Sequence, residues 1–154
     1  MRHRFATRAD AQILGALNYQ LIQDEGHRNQ MSVPELVSRL DEWLAGAYRA
    51  SIFEDDTEIL AYALYREEID QVYLRQFFVQ RAHRRSGVGK RCIQLLISEI
   101  WPKDKRITVD VLCYNQAGIA FWRAVGFTDY CLTLEREADK KPLKISRKDA
   151  KPQR

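Results

Sequence analysis

QVYLRQFFVQRAHRRSGVGKRCIQLL, residues 71–96, carries three kinds of chain in one run. Residues 71–79 are aromatic and aliphatic, the composition of a β-strand. Residues 80–87 are basic and end on a glycine. From Val88 the apolar positions Val88, Cys92, Leu95, Leu96 and Ile100 recur at helical spacing, and Pro102 stops them. The order strand, basic glycine turn, helix sets a helix N-terminus directly behind a sheet strand. Such an end presents unpaired backbone N–H groups and a partial positive charge. Gly87 and Gly89 remove side chains so that an anion can approach those amides, and Arg81, Arg84, Arg85 and Lys90 add full charges. This chemistry predicts capture of a phosphate or pyrophosphate.

Upstream, residues 10–28 read as a helix with Asp10 as N-cap, Ile13, Leu14, Leu17 and Leu21 as its apolar stripe, and Gly26 as its stop. Ser32 and Glu35 form a capping-box pattern, with Pro34 tolerated in the first turn. The helix they open shows the stripe Leu36, Leu40, Trp43 and Leu44 and ends near Gly46. Residues 47–53 and 58–65 are strand-like and joined by short polar connections, so with 71–79 they predict an antiparallel meander. Downstream, Ile107, Val109, Val111 and Cys113 alternate along a strand over 106–113. Asn115 caps a short helix closed by Gly126, and a last strand is expected over about 127–136. The fold class is α+β: a mixed, mostly antiparallel sheet flanked by helices, in the order (β)-α-α-β-β-β-α-β-α-β.

A chain of 154 residues fits one domain, 45% hydrophobic and 30% charged. It holds no apolar run long enough to span a bilayer and no signal-peptide stretch at its start, so a cytoplasmic location is expected and no membrane partner. Cys92, Cys113 and Cys131 lie far apart among apolar neighbours, which predicts buried thiols and no metal site. The formal charge of +4 is unevenly spread. Residues 140–154 contain seven Lys/Arg and one Asp, which leaves 18 basic and 20 acidic residues in 1–139. A domain over 1–137 and a basic, disordered tail over 138–154 follow, and nucleic acid is an expected partner only through that tail.

Two phosphate loops fail on the residues. A P-loop needs Ser or Thr after Gly-Lys, and Arg91 follows Lys90; a dinucleotide loop needs a third glycine where Cys92 stands. What fits is R-x-x-G-x-G, Arg84 to Gly89, between a strand and a helix. Together with NQAGIAFWRAVGF, residues 115–127, and the order of elements, it resembles the GNAT superfamily of acetyl-CoA-dependent N-acetyltransferases over roughly residues 5–136.

The resemblance implies transfer of an acetyl group from acetyl-CoA to an amine, by direct attack in a ternary complex and without a metal. It implies that Arg84, Arg85, Ser86, Gly87, Val88, Gly89 and Lys90 hold the pyrophosphate, that Phe78 and Val79 border the pantetheine arm, and that Asn115 and Trp122 complete the coenzyme site. The acceptor would be a small molecule or a protein, and the family often forms homodimers. Two departures matter. Trp122 stands where the family often has a Tyr as general acid, and indole has no titratable proton to give, so Tyr114 becomes the substitute. No carboxylate lies on the second half of strand 71–79, so the base is sought in the loop after the first helix, at Glu25 or His27. An acyl-CoA-binding regulatory protein of the same fold, or a nucleic-acid or ribosome-associated module, stays open as the alternative.

Overall fold

The structure, a computed structural model, describes residues 1–139; the expected tail lies almost wholly outside the described residues. Five strands form one sheet in the order β1-β2-β3-β4-β5: β1 Arg2–Phe5, β2 Tyr48–Glu54, β3 Ile59–Glu67, β4 Gln71–Val79 and β5 Arg106–Val109. The first four pair antiparallel and β5 pairs parallel to β4. The helices are α1 Ala11–Glu25, α2 Val33–Ala45, α3 Val88–Leu95, continued by a π-helical turn over Leu96–Ile100, and α4 Gln116–Ala124. The α+β order read from the sequence is the order observed, up to its last element.

Alternation along β3 divides the core. Tyr62 and Leu64 join Leu14, Leu17, Leu21, Leu40, Ile52 and Phe78 on the α1/α2 face. Ala61, Ala63 and Tyr65 join Val72, Leu74, Ile93, Leu96 and Trp122 on the other. A bulge interrupts β4: Tyr65 opposes Leu74 and Leu64 opposes Gln76, so Arg75 has no opposite residue. The bulge changes which parity faces α1 and α2. Val72 and Leu74 pack on the α3 side, whereas beyond Arg75 it is Phe78 that packs under α1, beside Gln76. Pairing of β4 with β5 ends at Leu74 and Val109, so β4 runs from Arg75 to Val79 with no neighbour on its β5 side.

Several local expectations change. Asp10 does not cap α1; its carboxylate accepts the Thr7 N–H at 2.8 Å and two bonds from Arg4 at 3.0 Å, closing a 3-10 turn. Ile13 is exposed, because the buried face of α1 runs through Leu14, Asn18, Leu21 and Ile22. The capping box of α2 forms as read: Ser32 Oγ accepts the Glu35 N–H at 3.3 Å, and Glu35 Oε1 accepts the Ser32 N–H at 3.0 Å. Strand β5 is four residues long and stops before Asp110. The strand expected over 127–136 is absent among the described residues: this segment joins no ladder, and Tyr130, Leu132 and Leu134 are 83–90% exposed. Strand-like composition yields a strand only where the segment pairs with a sheet edge, and this one pairs with none among the described residues. Cys113 and Cys131 are exposed for the same reason, lying beyond β5 and in the unpaired segment. Only Cys92 is buried, and burial pushes its thiol up to about 12.

Candidate functional site

The basic turn has its shape set by two residues in the left-handed region, Arg85 (φ 62°) and Gly87 (φ 82°). Gly87 precedes α3 with nothing near its missing Cβ, so the space beside it is open. The first bond of α3 runs from the Arg91 N–H to the Gly87 carbonyl at 3.1 Å, and no side chain caps the helix. The N–H groups of Val88, Gly89 and Lys90 therefore point out of the first turn without an intrahelical partner. Gly89 serves contact rather than conformation: a Cβ there would meet Phe121 at 3.2 Å and Val79 at 3.4 Å. That contact seats the first turn of α3 against the end of β4, beside the stretch that has no β5 partner. Arg85 and Lys90 are exposed and make no ion pair among the described residues.

Across the turn stands the C-terminus of α1. Asp24 accepts from Arg81 at 2.6 Å and from Arg84, and the Arg84 Nε–H also bonds the Val79 carbonyl at 2.9 Å. Burial works to raise the Asp24 carboxyl, but the bonds from Arg84 and Arg81 outweigh it and hold it below the usual carboxylate range. Arg84 thus ties three elements together, the end of β4, the turn and α1.

Glu25, the next residue, is half-buried and makes no hydrogen bond or ion pair among the described residues. Burial first, and the Asp24 charge second, raise its carboxyl above the usual range. His27 is different: its Nδ1 accepts the Asn29 N–H at 3.0 Å, so the neutral ring has its lone pair occupied and its proton on Nε2. Tyr114 donates to the Gly26 carbonyl at 3.1 Å, which pins the loop after α1 to the end of the β5 segment.

Under Glu25 lies a polar chain in an otherwise apolar layer. The Tyr62 hydroxyl donates to Gln76 Oε1 at 2.9 Å, and Gln76 Nε2 donates to Asn18 Oδ1 at 3.3 Å. The same Asn18 oxygen accepts from Arg39 on α2 at 3.3 Å. Tyr62, Gln76 and Asn18 are all buried. Burial, and the Glu25 charge after it, raise the Tyr62 hydroxyl above its ordinary value, while the Arg39 charge works the other way.

A gap in the sheet thus opens where β4 parts from β5, with an uncapped helix end seated against the open stretch and the half-buried Glu25 next to the Asp24 that binds the turn. The model of the acetyltransferase (GNAT) family matches residues 17–127, which include Glu25, β4, the basic turn, α3 and β5. This chain belongs to the GNAT acetyltransferase family.

No curated protein matches it in sequence. Among solved structures, a mutant of the BH1408 protein from Bacillus halodurans superposes with a TM-score of 0.74 at 23% identity, covering 90% of this chain and 99% of that one. A predicted acetyltransferase with acetyl-CoA from Clostridium acetobutylicum gives 0.71 at 19% identity, covering 88% and 95%. The aminoglycoside N-acetyltransferase AAC(6')-Iy in complex with CoA gives 0.71 at 17% identity, covering 88% and 93%. At these identities the fold is what is shared.

Within the family fold, the residues expected at the coenzyme separate into two groups. Arg85, Ser86, Gly87, Val88, Gly89 and Lys90 line the open turn, and Phe78 and Val79 end the unpaired stretch of β4. The side chains of the other three have partners within the protein. Arg84 is bound to Asp24 and Val79. The Asn115 side chain caps α4, accepting the Gly118 N–H at 3.0 Å. Trp122 is buried among Phe77, Phe121 and Phe127 in the core. Sequence reasoning passed over Asp24, Asn18, Tyr62 and Arg39. Only Asn18 leaves a trace in the sequence, as a polar residue within the apolar stripe of α1.

Proposed function

We propose that this chain is an N-acetyltransferase that moves the acetyl group of acetyl-CoA to an amine by direct attack, with Glu25 as the general base. One observation carries the reading: the uncapped first turn of α3 abuts the unpaired end of β4, and the unpartnered Glu25 directly follows Asp24, which binds Arg84 of the same turn. Acetyl-CoA supplies a thioester whose acyl carbon an amine can attack. The chain's own residues do the rest. The N–H groups of Val88, Gly89 and Lys90, with the Arg85 and Lys90 charges, hold the pyrophosphate; the open space beside Gly87 leaves room for it. Backbone groups of the stretch from Arg75 to Val79 bond the pantetheine arm, and a free N–H there faces the charge that develops on the thioester oxygen.

The amine arrives as an ammonium, with a pKa near ~10 for a lysine-like group, and must lose a proton before it attacks. Glu25 takes it. A carboxyl raised by burial is a better proton acceptor than a solvated one, and no partner competes for its oxygens. His27 is set aside because its lone pair is held by Asn29. Tyr114, whose proton is given to Gly26, holds the loop. With Trp122 in the core, the departing thiolate of CoA, pKa about 8.5, takes its proton from solvent.

The test is a free-thiol release assay over an amine panel with the wild type and Glu25→Gln. The substitution should lower kcat by about 10²–10⁴-fold and remove the acid limb of the pH profile. That limb lies above the range of an ordinary carboxylate, because the base must be deprotonated and its pKa is raised. A thermal shift with CoA comes first; no shift at saturating CoA overturns the reading.

A further inference from the structure

Most arginines of the described chain face a carboxylate: Arg2, Arg4, Arg8, Arg66, Arg81, Arg84, Arg106 and Arg123 all pair. Two that do not are Arg39 and Arg75, and they share one aromatic. Their guanidinium carbons lie 4.4 and 4.5 Å from the centre of the Trp43 ring. The Arg39 Nε–H is buried with no hydrogen-bond partner, and its NH2 group reaches only the Asn18 oxygen, at 3.3 Å. Arg75, thrown out of β4 by the bulge, makes one long contact, 3.4 Å to the Tyr48 hydroxyl. Two like charges on one indole, one of them partly desolvated, repel each other. Nothing among the described residues neutralises them.

The position of the pair is what gives it meaning. Arg39 is joined through Asn18 and Gln76 to Tyr62, and Asn18 lies on the same face of α1 as Glu25, two turns before it. A molecule whose amine lies at Glu25 and that extends along α1 past Asn18 therefore runs toward two unpaired guanidiniums. The forked N–H donors of arginine match the two oxygens of a carboxylate, and stacking on Trp43 holds the fork in place without occupying its donors.

We propose that the acceptor is a small amine that also carries an oxyanion, a carboxylate foremost, and that Arg39 and Arg75 bind this group while Glu25 takes the ammonium proton. The substrate class is then the amino acids and their amine-bearing analogues. A polycation such as an aminoglycoside would meet two positive charges at this end of the cleft. The assignment rests on the reading of this cleft as the acceptor site of an acetyltransferase.

The experiment compares matched amines in the thiol-release assay and, on the same panel with CoA present, by ligand-detected NMR. The panel pairs free amino acids with their carboxamides, and adds phosphoethanolamine and kanamycin. The acid should exceed its amide at least tenfold in kcat/KM, the difference lying mainly in KM. Arg75→Gln, at an exposed site that does not threaten folding, and Arg39→Gln should each bring acid and amide together while the thermal shift with CoA stays unchanged. Phosphoethanolamine preferred over every carboxylate would identify a phosphate as the anion, still read by the two arginines. The proposal is overturned if amides match their acids, if kanamycin is preferred, if no acid binds to protein that still binds CoA, or if both arginine variants keep the preference. Loss of CoA binding by the wild type would instead overturn the acetyltransferase reading beneath it.

Discussion

Gly15→Ala sets two physical effects of known sign against each other. On an isolated helix the change is favourable by about 1 kcal/mol, because alanine loses less backbone entropy than glycine. In this fold Gly15 lies where α1 crosses α2. A Cβ at that position would meet Val37 Cγ2 at 2.4 Å and the Val37 Cα and N at 3.0 Å. Ordinary contacts begin near 3.4 Å, so the side chain and the backbone of α2 would both have to retreat. The backbone cannot do so alone: Leu36 and Leu40, on either side of Val37, are fully buried. Overpacking of this kind costs about 1–3 kcal/mol, and a clash with main-chain atoms belongs to its upper half. The net expectation is a loss of about 1–2 kcal/mol, or roughly 2–8 °C in Tm for a domain of this size. The added substitution Val37→Ala should recover part of the loss, because it removes the Cγ2 contact and leaves the two main-chain contacts. Urea and thermal melts of the single and double variants measure both. A Gly15→Ala protein as stable as the parent, or more so, would refute the reasoning, as would complete recovery by Val37→Ala. The crossing also sets the 3.3 Å bond between Asn18 and Arg39, so the variant should use its acceptor less well even where it remains folded.

Asp24→Asn should loosen the turn from α1, raising KM for acetyl-CoA severalfold and costing about 1 kcal/mol of stability at pH 7. The Asp24 carboxyl is held below its ordinary value in the folded state, so its contribution is complete above the unfolded value and disappears as pH falls through the folded one. The gap between wild type and variant in urea melts should therefore close below about pH 4, and a gap that widens there would count against the ion pairs. In the native protein a thiol reagent should titrate Cys113 and Cys131 rapidly and reach Cys92 only on unfolding; three fast thiols would contradict the packing of α3.

Local chemistry was legible where a residue acts on its own neighbours. Ser32 and Glu35 close their capping box, Asn115 caps α4, Gly26 ends α1 in the left-handed region, and the turn from Arg84 to Lys90 leads into an uncapped helix. Short-range pattern misled where cover comes from afar. Cys113 sits on an alternating run and is still exposed, and the segment 127–136 has the residues of a strand but pairs with no edge among the described residues. The Arg84 guanidinium likewise meets Asp24, distant in sequence, a contact that the motif alone does not announce.

The chain by itself determined the helices, the meander and the basic turn behind β4, because periodicity, caps and glycine conformations are written in residues a few positions apart. It also determined that the turn suits an anion, since unpaired amides and lysine or arginine charge select one wherever they occur. Only the tertiary structure decided what faces that turn. The bulge at Arg75 turns Gln76 under α1, the α1–α2 crossing brings Asn18 to Arg39, and the end of α1 half-buries Glu25 with no partner among the described residues. Each is a contact between residues far apart in the chain, and desolvation, charge pairing and vacancy arise only when such residues meet.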